Sequence, residues 1–264
     1  MGAPAAPLST GVVDTVTPQQ ISTAPHVSAC THNHYSPAGT ALSPQTTTQS
    51  RPKRPTINGW LEDAQDATTG PMSSLHEEWN VPRGPKKPGR QYVYFFPGFQ
   101  NLEGPATIMQ PVLAWTGSGN INGWYASSRN CCIVGNVYGS DNILITGTTV
   151  TGDVSGQGCD PSTGVCSSWT ITVTDQRSKK SATLTTTSGG YPMNWTFGGV
   201  LEPYGVSRCS HFPGTDLTFS NTSFTNIANE PVSPTWETEI HTPVSPQCGY
   251  KVTFPSPDSI TLSY

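Results

Sequence analysis

Two apolar runs in this chain each carry a single polar group of the kind hydrolysis needs. Ile108-Met109-Gln110-Pro111-Val112-Leu113-Ala114-Trp115 holds one amide, and Gly198-Gly199-Val200-Leu201-Glu202-Pro203-Tyr204 holds one carboxylate. Polar groups inside stretches suited to burial cost free energy unless they are hydrogen-bonded or used, which makes Gln110 and Glu202 the first candidates for chemistry. A carboxylate takes a proton from water and returns it to a leaving group, and an amide holds that water and donates to an oxyanion. Together they are the parts of a two-residue hydrolytic site.

Other hydrolytic and nucleotide-binding machinery is missing from the sequence. There is no Gly-Lys-Ser/Thr phosphate loop, no Gly-x-Ser-x-Gly elbow, no His-Glu-x-x-His pair, no paired Cys-x-x-Cys and no Asp-Thr/Ser-Gly motif. No metal or organic cofactor is implied. Cys30, His32 and His34 sit close together but lack a fourth ligand in a rigid frame.

The elements that must position Gln110 and Glu202 read as strands. From Asn58 onward, short runs rich in Val, Ile, Thr, Tyr, Phe and Trp recur between Gly, Pro, Asn and Asp breakers, about a dozen in all, which predicts a double-sheet β-sandwich. Trp169-Thr170-Ile171-Thr172-Val173-Thr174 alternates cleanly, as a sheet with one solvated face requires. No convincing amphipathic helix appears, the best short candidate being Trp60-Leu61-Glu62-Asp63-Ala64-Gln65-Asp66-Ala67. Strict alternation along the Glu202 strand puts Asn194, Thr196, Gly198, Val200 and Glu202 on one face, so a glycan on Asn194 would emerge beside the carboxylate. A bulge at Gly198-Gly199 would remove that conflict. The two glycines could instead open space for a substrate backbone.

Composition sets the surroundings. With 264 residues, 25 Pro, 26 Gly and only 11% charged residues, the chain has the composition of an exported all-β protein. A net charge of -4 and the lack of a Lys/Arg stripe argue against a nucleic-acid partner. No apolar stretch approaches the ~20 residues that span a bilayer. Seven cysteines and two glycosylation sequons, Asn194-Trp195-Thr196 and Asn221-Thr222-Ser223, point to secretion into an oxidising extracellular setting. Cys159 and Cys166 flank the turn-rich Asp160-Pro161-Ser162-Thr163-Gly164 and suit a hairpin disulfide. Adjacent Cys131 and Cys132 point to opposite faces of a strand and are expected to find separate partners, Cys209 and Cys248 among them. The odd count leaves a thiol over, for which Cys30 is the candidate.

Residues 1 to 57 form a separate leader, rich in Pro, Thr, Ser, Ala and Gln and ending in Arg51-Pro52-Lys53-Arg54-Pro55. Such a segment buries too little apolar surface to order itself. Its three basic residues against one acid give +2, leaving 10 basic and 16 acidic residues, or -6, for the rest. A propeptide and a plain solvated linker both fit this pattern. Residues 58 to 264 are expected to form the β-sandwich domain that would carry any catalytic site.

The order of motifs in that domain resembles the eqolisin family of glutamic peptidases. Asn58-Gly59-Trp60 looks like the family's opening Asn-Trp segment, and Glu77-Glu78-Trp79-Asn80-Val81-Pro82 its Glu-Phe-Thr-Val-Pro strand. Phe95-Phe96-Pro97-Gly98-Phe99-Gln100 sits where the family has Ala-Trp-Val-Gly-Ile-Asp. Thr107-Ile108-Met109-Gln110 resembles its Ala-Ile-Leu-Gln, and Asn122-Gly123-Trp124-Tyr125 its Asp-Ala-Trp-Tyr. Further on, Gly199-Val200-Leu201-Glu202 is similar to Trp-Ile-Val-Glu, and Thr215-Asp216-Leu217-Thr218-Phe219-Ser220-Asn221 to Gly-Thr-Val-Thr-Phe-Thr-Asn.

The resemblance implies a concanavalin-like sandwich acting as an endopeptidase on polypeptide substrates. Glu202 would be general base and acid, and Gln110 would position the water and stabilise the oxyanion. A carboxylate with an ordinary pKa of ~4.3 would make the enzyme acid-acting. Trp60, Phe96, Gln100 and Trp124 are the expected substrate-binding positions, since aromatic side chains offer large contact area. A monomer is expected. The chain departs from the family where Ala126-Ser127 replaces Glu-Trp, Gln100 replaces Asp, and Gly198 replaces another Glu. Carboxylates that would charge and support the site are therefore absent. A carbohydrate-binding or polysaccharide-cleaving sandwich is the alternative class, because one fold hosts many functions.

Overall fold

A computed structural model describes residues 56–117, 121–133, 136–241 and 243–264. The leader expected over residues 1 to 57 lies almost wholly outside them, as do Cys30, His32 and His34. Among the described residues there is no α-helix, and no helix long and apolar enough to cross a membrane. Ile57, the last residue of the expected leader, pairs with Val206.

The strands form two antiparallel sheets. The first runs β15 (Glu237–Ile240), β2 (Glu62–Asp66), β12 (Trp195–Val206), β4 (Tyr92–Gln100), β5 (Ile108–Thr116), β6 (Gly123–Ile133) and β7 (Asn136–Gly139). Two short strands join it, β1 (Ile57–Asn58) on β12 and β8 (Ile143–Leu144) on β6. The second runs β11 (Ser181–Thr186), β10 (Cys166–Asp175), β9 (Thr149–Cys159), β3 (Met72–Asn80), β13 (Leu217–Asn226), β17 (Ser259–Ser263) and β16 (Lys251–Ser256), with β14 (Pro231–Val232) on β13. The expected β-sandwich is the architecture found.

The two sheets differ in how their faces are used. In β10, Trp169, Ile171 and Val173 are buried while the threonines between them face out, where Thr172 and Thr174 hydrogen-bond Thr183 and Ser181 of β11. That is the one-sided alternation predicted. The central strands of the first sheet are buried along nearly their whole length. One of their faces, with Val93, Phe95, Leu113 and Leu201, packs on Trp79, Phe219 and Ile260 of the second sheet. The other carries a separate aromatic cluster that includes Trp60, Tyr94, Phe96, Trp195, Phe197 and Tyr204. This second, outward face carries the candidate residues Gln110 and Glu202.

Three sequence expectations are corrected. The helix candidate at 60–67 contains β2, which pairs with β12 on one side and β15 on the other, so its acids are placed by strand pairing. Cys209 bonds Cys248, not the adjacent pair on β6, and Cys131 is a buried free thiol. The Cys159–Cys166 hairpin disulfide is present as expected. Strict alternation along β12 is broken where the register shifts between Phe197 and Val200.

That bulge turns both glycines inward. A Cβ on Gly198 would lie 2.3 Å from Ile260 Cδ1 and 2.7 Å from Trp236, and one on Gly199 would lie 2.6 Å from Phe219. The glycines therefore permit sheet packing and do not face a substrate. Gly198→Val is expected to cost about 2 kcal/mol or more through overpacking, lowering Tm by roughly 5 °C in a thermal melt. The same bulge brings Trp195 and Phe197 to the outward face with Val200 and separates Asn194 from it. Asn194 Oδ1 instead accepts from the Leu102 amide at 2.9 Å.

Candidate active site

Glu202 and Gln110 lie on the same outward face of the first sheet, on β12 and β5, with β4 between them. Tyr94 of β4 is opposite Glu202 on one side and Ala114 on the other. Arg129 of β6 is directly opposite Gln110, and Cys131 opposite Ile108. Period-two geometry then puts Tyr125, Ser127, Arg129 and Cys131 in one column beside Gln110. Gln110 and Glu202 are only 3% and 4% exposed.

Each candidate is held by neighbours. Glu202 Oε1 accepts a short hydrogen bond from the Tyr204 hydroxyl, two residues along the same strand. Cys131 Sγ donates to Gln110 Oε1 at 3.9 Å. With its oxygen occupied, Gln110 has its amide nitrogen free to donate. Arg129 Nε donates to Ser127 Oγ at 3.0 Å, and its guanidinium sits 4.8 Å over the Tyr94 ring. Among the described residues Glu202 and Gln110 make no direct hydrogen bond, but they share electrostatic neighbours. The Arg129 charge acts on Glu202, and Cys131, bonded to Gln110, senses both.

Burial dominates the titration of this cluster. Desolvation pushes the Glu202 carboxyl up to about 7, against the opposing effects of the Tyr204 hydrogen bond and the Arg129 charge. The Cys131 thiol is pushed up to about 12, again by burial, and is unsuited to act as a thiolate nucleophile at neutral pH. A carboxyl poised near 7 is matched to general acid–base work, where a group must both take and give a proton.

The expected substrate-binding residues divide. Trp60 and Phe96 belong to the aromatic cluster of the outward face, their rings 5.9 Å apart and edge-on. Gln100, opposite Trp195 and Ile108, shares that face, and its buried Oε1 has no partner among the described residues. Trp124 does not belong with them. Its ring packs 6.2 Å from Phe95 and 5.4 Å from Trp115 on the sheet-to-sheet side, because it shares the parity of Ala126 and not of Tyr125.

Several site residues escaped the sequence reading. Asp63, inside the supposed helix, comes to the outward face beside Val200, buried, with its carboxyl pKa raised by desolvation and by Glu239. Arg129 had a signal: it is the only Lys or Arg between Arg90 and Arg177. Tyr94 and Tyr204 sit in apolar runs where a tyrosine reads as ordinary core.

No family model and no curated protein sequence matches the chain. The fold is that of the glutamic peptidases of the eqolisin family. Two structures of scytalido-glutamic peptidase with transition-state analogues match with TM-scores of 0.56 and 0.57, each at 15% identity, over 78% of this chain and 98% of that one. SCP-B, a member of the eqolisin family solved with the tripeptide Ala-Ile-His, matches with a TM-score of 0.53 at 16% identity over the same shares.

Proposed function

We propose that this chain is a secreted endopeptidase that hydrolyses peptide bonds with Glu202 and Gln110. The observation that carries the reading is the placement of a carboxyl poised near 7 and a free amide donor on one aromatic face, in a fold shared with glutamic peptidases. Ionised Glu202 takes a proton from the attacking water, the new C–O bond forms, and the carbonyl oxygen becomes an oxyanion that receives a hydrogen bond from Gln110 Nε2. Glu202 then returns the proton to the leaving amine as the C–N bond breaks.

An ordinary carboxylate would make the enzyme acid-acting, but burial moves the window. Turnover limited by ionised Glu202 rises with pH and levels above about 7. Two disulfides support an exported protein, and Asn221, exposed with φ of 54°, suits a glycan. The carbohydrate reading draws less support, because Trp60, Phe96, Trp195 and Phe197 pack on one another's rings and do not stand free for sugars.

The test is cleavage of an unfolded protein across a pH series by the full chain, by residues 58 to 264, and by Gln110→Ala. Loss of one oxyanion donor is expected to lower kcat by about 10²-fold or more. Removal of the leader is expected to raise turnover. No cleavage by either parent form at any pH would overturn the peptidase reading.

A further inference from the structure

The charge on the site face that hydrolysis does not need is Arg129. Its Nε is committed to Ser127, its plane lies over the Tyr94 ring and it also hydrogen-bonds the Tyr94 side chain, a hold that fixes the rotamer and leaves part of its five-donor fork to donate elsewhere. Among the described residues no carboxylate comes within ion-pair distance of it. Arg129 is half-buried and acts on the Glu202 carboxyl without forming an ion pair with it, and a guanidinium partly withdrawn from water in this way is stabilised when an anionic group arrives.

The position of Arg129 defines what that anion is. Directly opposite residues in an antiparallel pair have Cβ atoms about 5 Å apart, so Arg129 and Gln110 flank one point on the face. An extended peptide advances about 3.4 Å per residue, and a carbonyl held at Gln110 brings the next side chain along within reach of the guanidinium. We propose that Arg129 is a specificity determinant that receives a substrate carboxylate, so that the site selects peptides with Asp or Glu adjacent to the bond cleaved. This rests on the peptidase reading. A planar fork of donors matches a carboxylate in two hydrogen bonds, and a buried donor left unpaired by a neutral substrate penalises that substrate.

The experiment uses two peptides, identical except for Glu or Gln beside the scissile bond, with that bond located first by mass spectrometry of a digested unfolded protein. The form of the chain that turns over is expected to favour the Glu peptide by about tenfold or more in kcat/KM. Arg129→Met is expected to lose that preference mainly through KM, with both peptides compared on the alkaline plateau of each protein because loss of the charge pushes the Glu202 carboxyl further up, and Arg129→Lys to restore part of it. Equal rates on the two peptides in the parent would overturn the proposal. So would an Arg129→Met variant that folds, by circular dichroism, but loses both substrates equally, which would place Arg129 in the chemistry instead. The same peptides titrated against full-length Glu202→Gln, followed by tryptophan fluorescence, separate binding from catalysis. Tighter binding of the Glu peptide without cleavage by the parent would sink the peptidase reading and keep the Arg129 site. Equal or absent binding in both would sink the site.

Discussion

Glu202→Gln is expected to reduce turnover by about 10²- to 10⁴-fold, the range for removal of a general acid–base group, and at the same time to make the protein more stable above pH 7. The two effects have one cause. Folding moves the Glu202 carboxyl into an apolar face where burial pushes its pKa up to about 7. In the unfolded chain the same group releases its proton near ~4.3. Between those values the folded state holds more protons than the unfolded state, so unfolding free energy falls as pH rises, and above about 7 the full cost is present. A shift of this size corresponds to about 3 kcal/mol.

Glutamine keeps the shape, cannot ionise, and escapes that cost. Urea unfolding of parent and variant at pH 5 and pH 8 checks the stability arm, with the gap expected at pH 8 and nearly closed at pH 5. Equal stability at both pH values would show that the carboxylate is solvated in the folded protein. The pH profile of the parent belongs to the same argument. Below about 7 its rate should fall roughly tenfold per pH unit as the base is lost to protonation.

How much of this was legible follows from which features are local. Gln110 and Glu202 stood out because each is the one polar group in an apolar strand, and strand identity needs only neighbouring residues. The face each presents is also local until a bulge intervenes. At Gly198-Gly199 the pleat slips, and parity counted from Asn194 fails for every residue beyond. Trp60 and Phe96 lie on the outward face and Trp124 on the opposite one, because one residue of offset sends a side chain to the other side. Residues 60–67 gave no clear strand signal because closely spaced acids and alanines suit a short helix as well, and pairing with β12 and β15 makes a strand of Glu62–Asp66. Arg129 could not have been placed from sequence, since its meaning depends on the β5–β6 register that sets it opposite Gln110. The disulfides show the same division: the hairpin pair seven residues apart was readable, and the pair 39 apart was not.

Stability should be greatest on the acid side and fall steeply as pH rises from about 5 to 9, by more than Glu202 alone explains. Three further carboxyls are buried with raised pKa values, each chiefly through desolvation. Asp63 lies on the outward face, Glu77 accepts from the Thr222 hydroxyl between the sheets, and Glu62 lies at the sheet-to-sheet side, pushed up to about 9. Each raised value means that the folded protein holds its proton to higher pH than the unfolded chain does, so each adds to the decline. Glu62 alone then costs about 3 kcal/mol at pH 7 and about 6 kcal/mol at pH 9, against a total of about 5–15 kcal/mol for a typical domain.

At the other end the sign reverses. Burial tends to raise Asp175, but hydrogen bonds from Ser178, Thr146 and Arg177 outweigh it and hold the carboxyl down at about 2. The stability it confers is present above its ordinary pKa and is lost as pH falls toward 2. The stability maximum therefore falls just above the range in which Asp175 begins to be protonated. Urea midpoints measured from pH 3 to pH 9 should trace that maximum and the long decline beyond it. Glu62→Gln should flatten the decline while leaving the acid limb unchanged. A parent curve level from pH 5 to 9 would mean that water reaches Glu62 and its neighbours in the folded state, and that their burial carries no proton linkage.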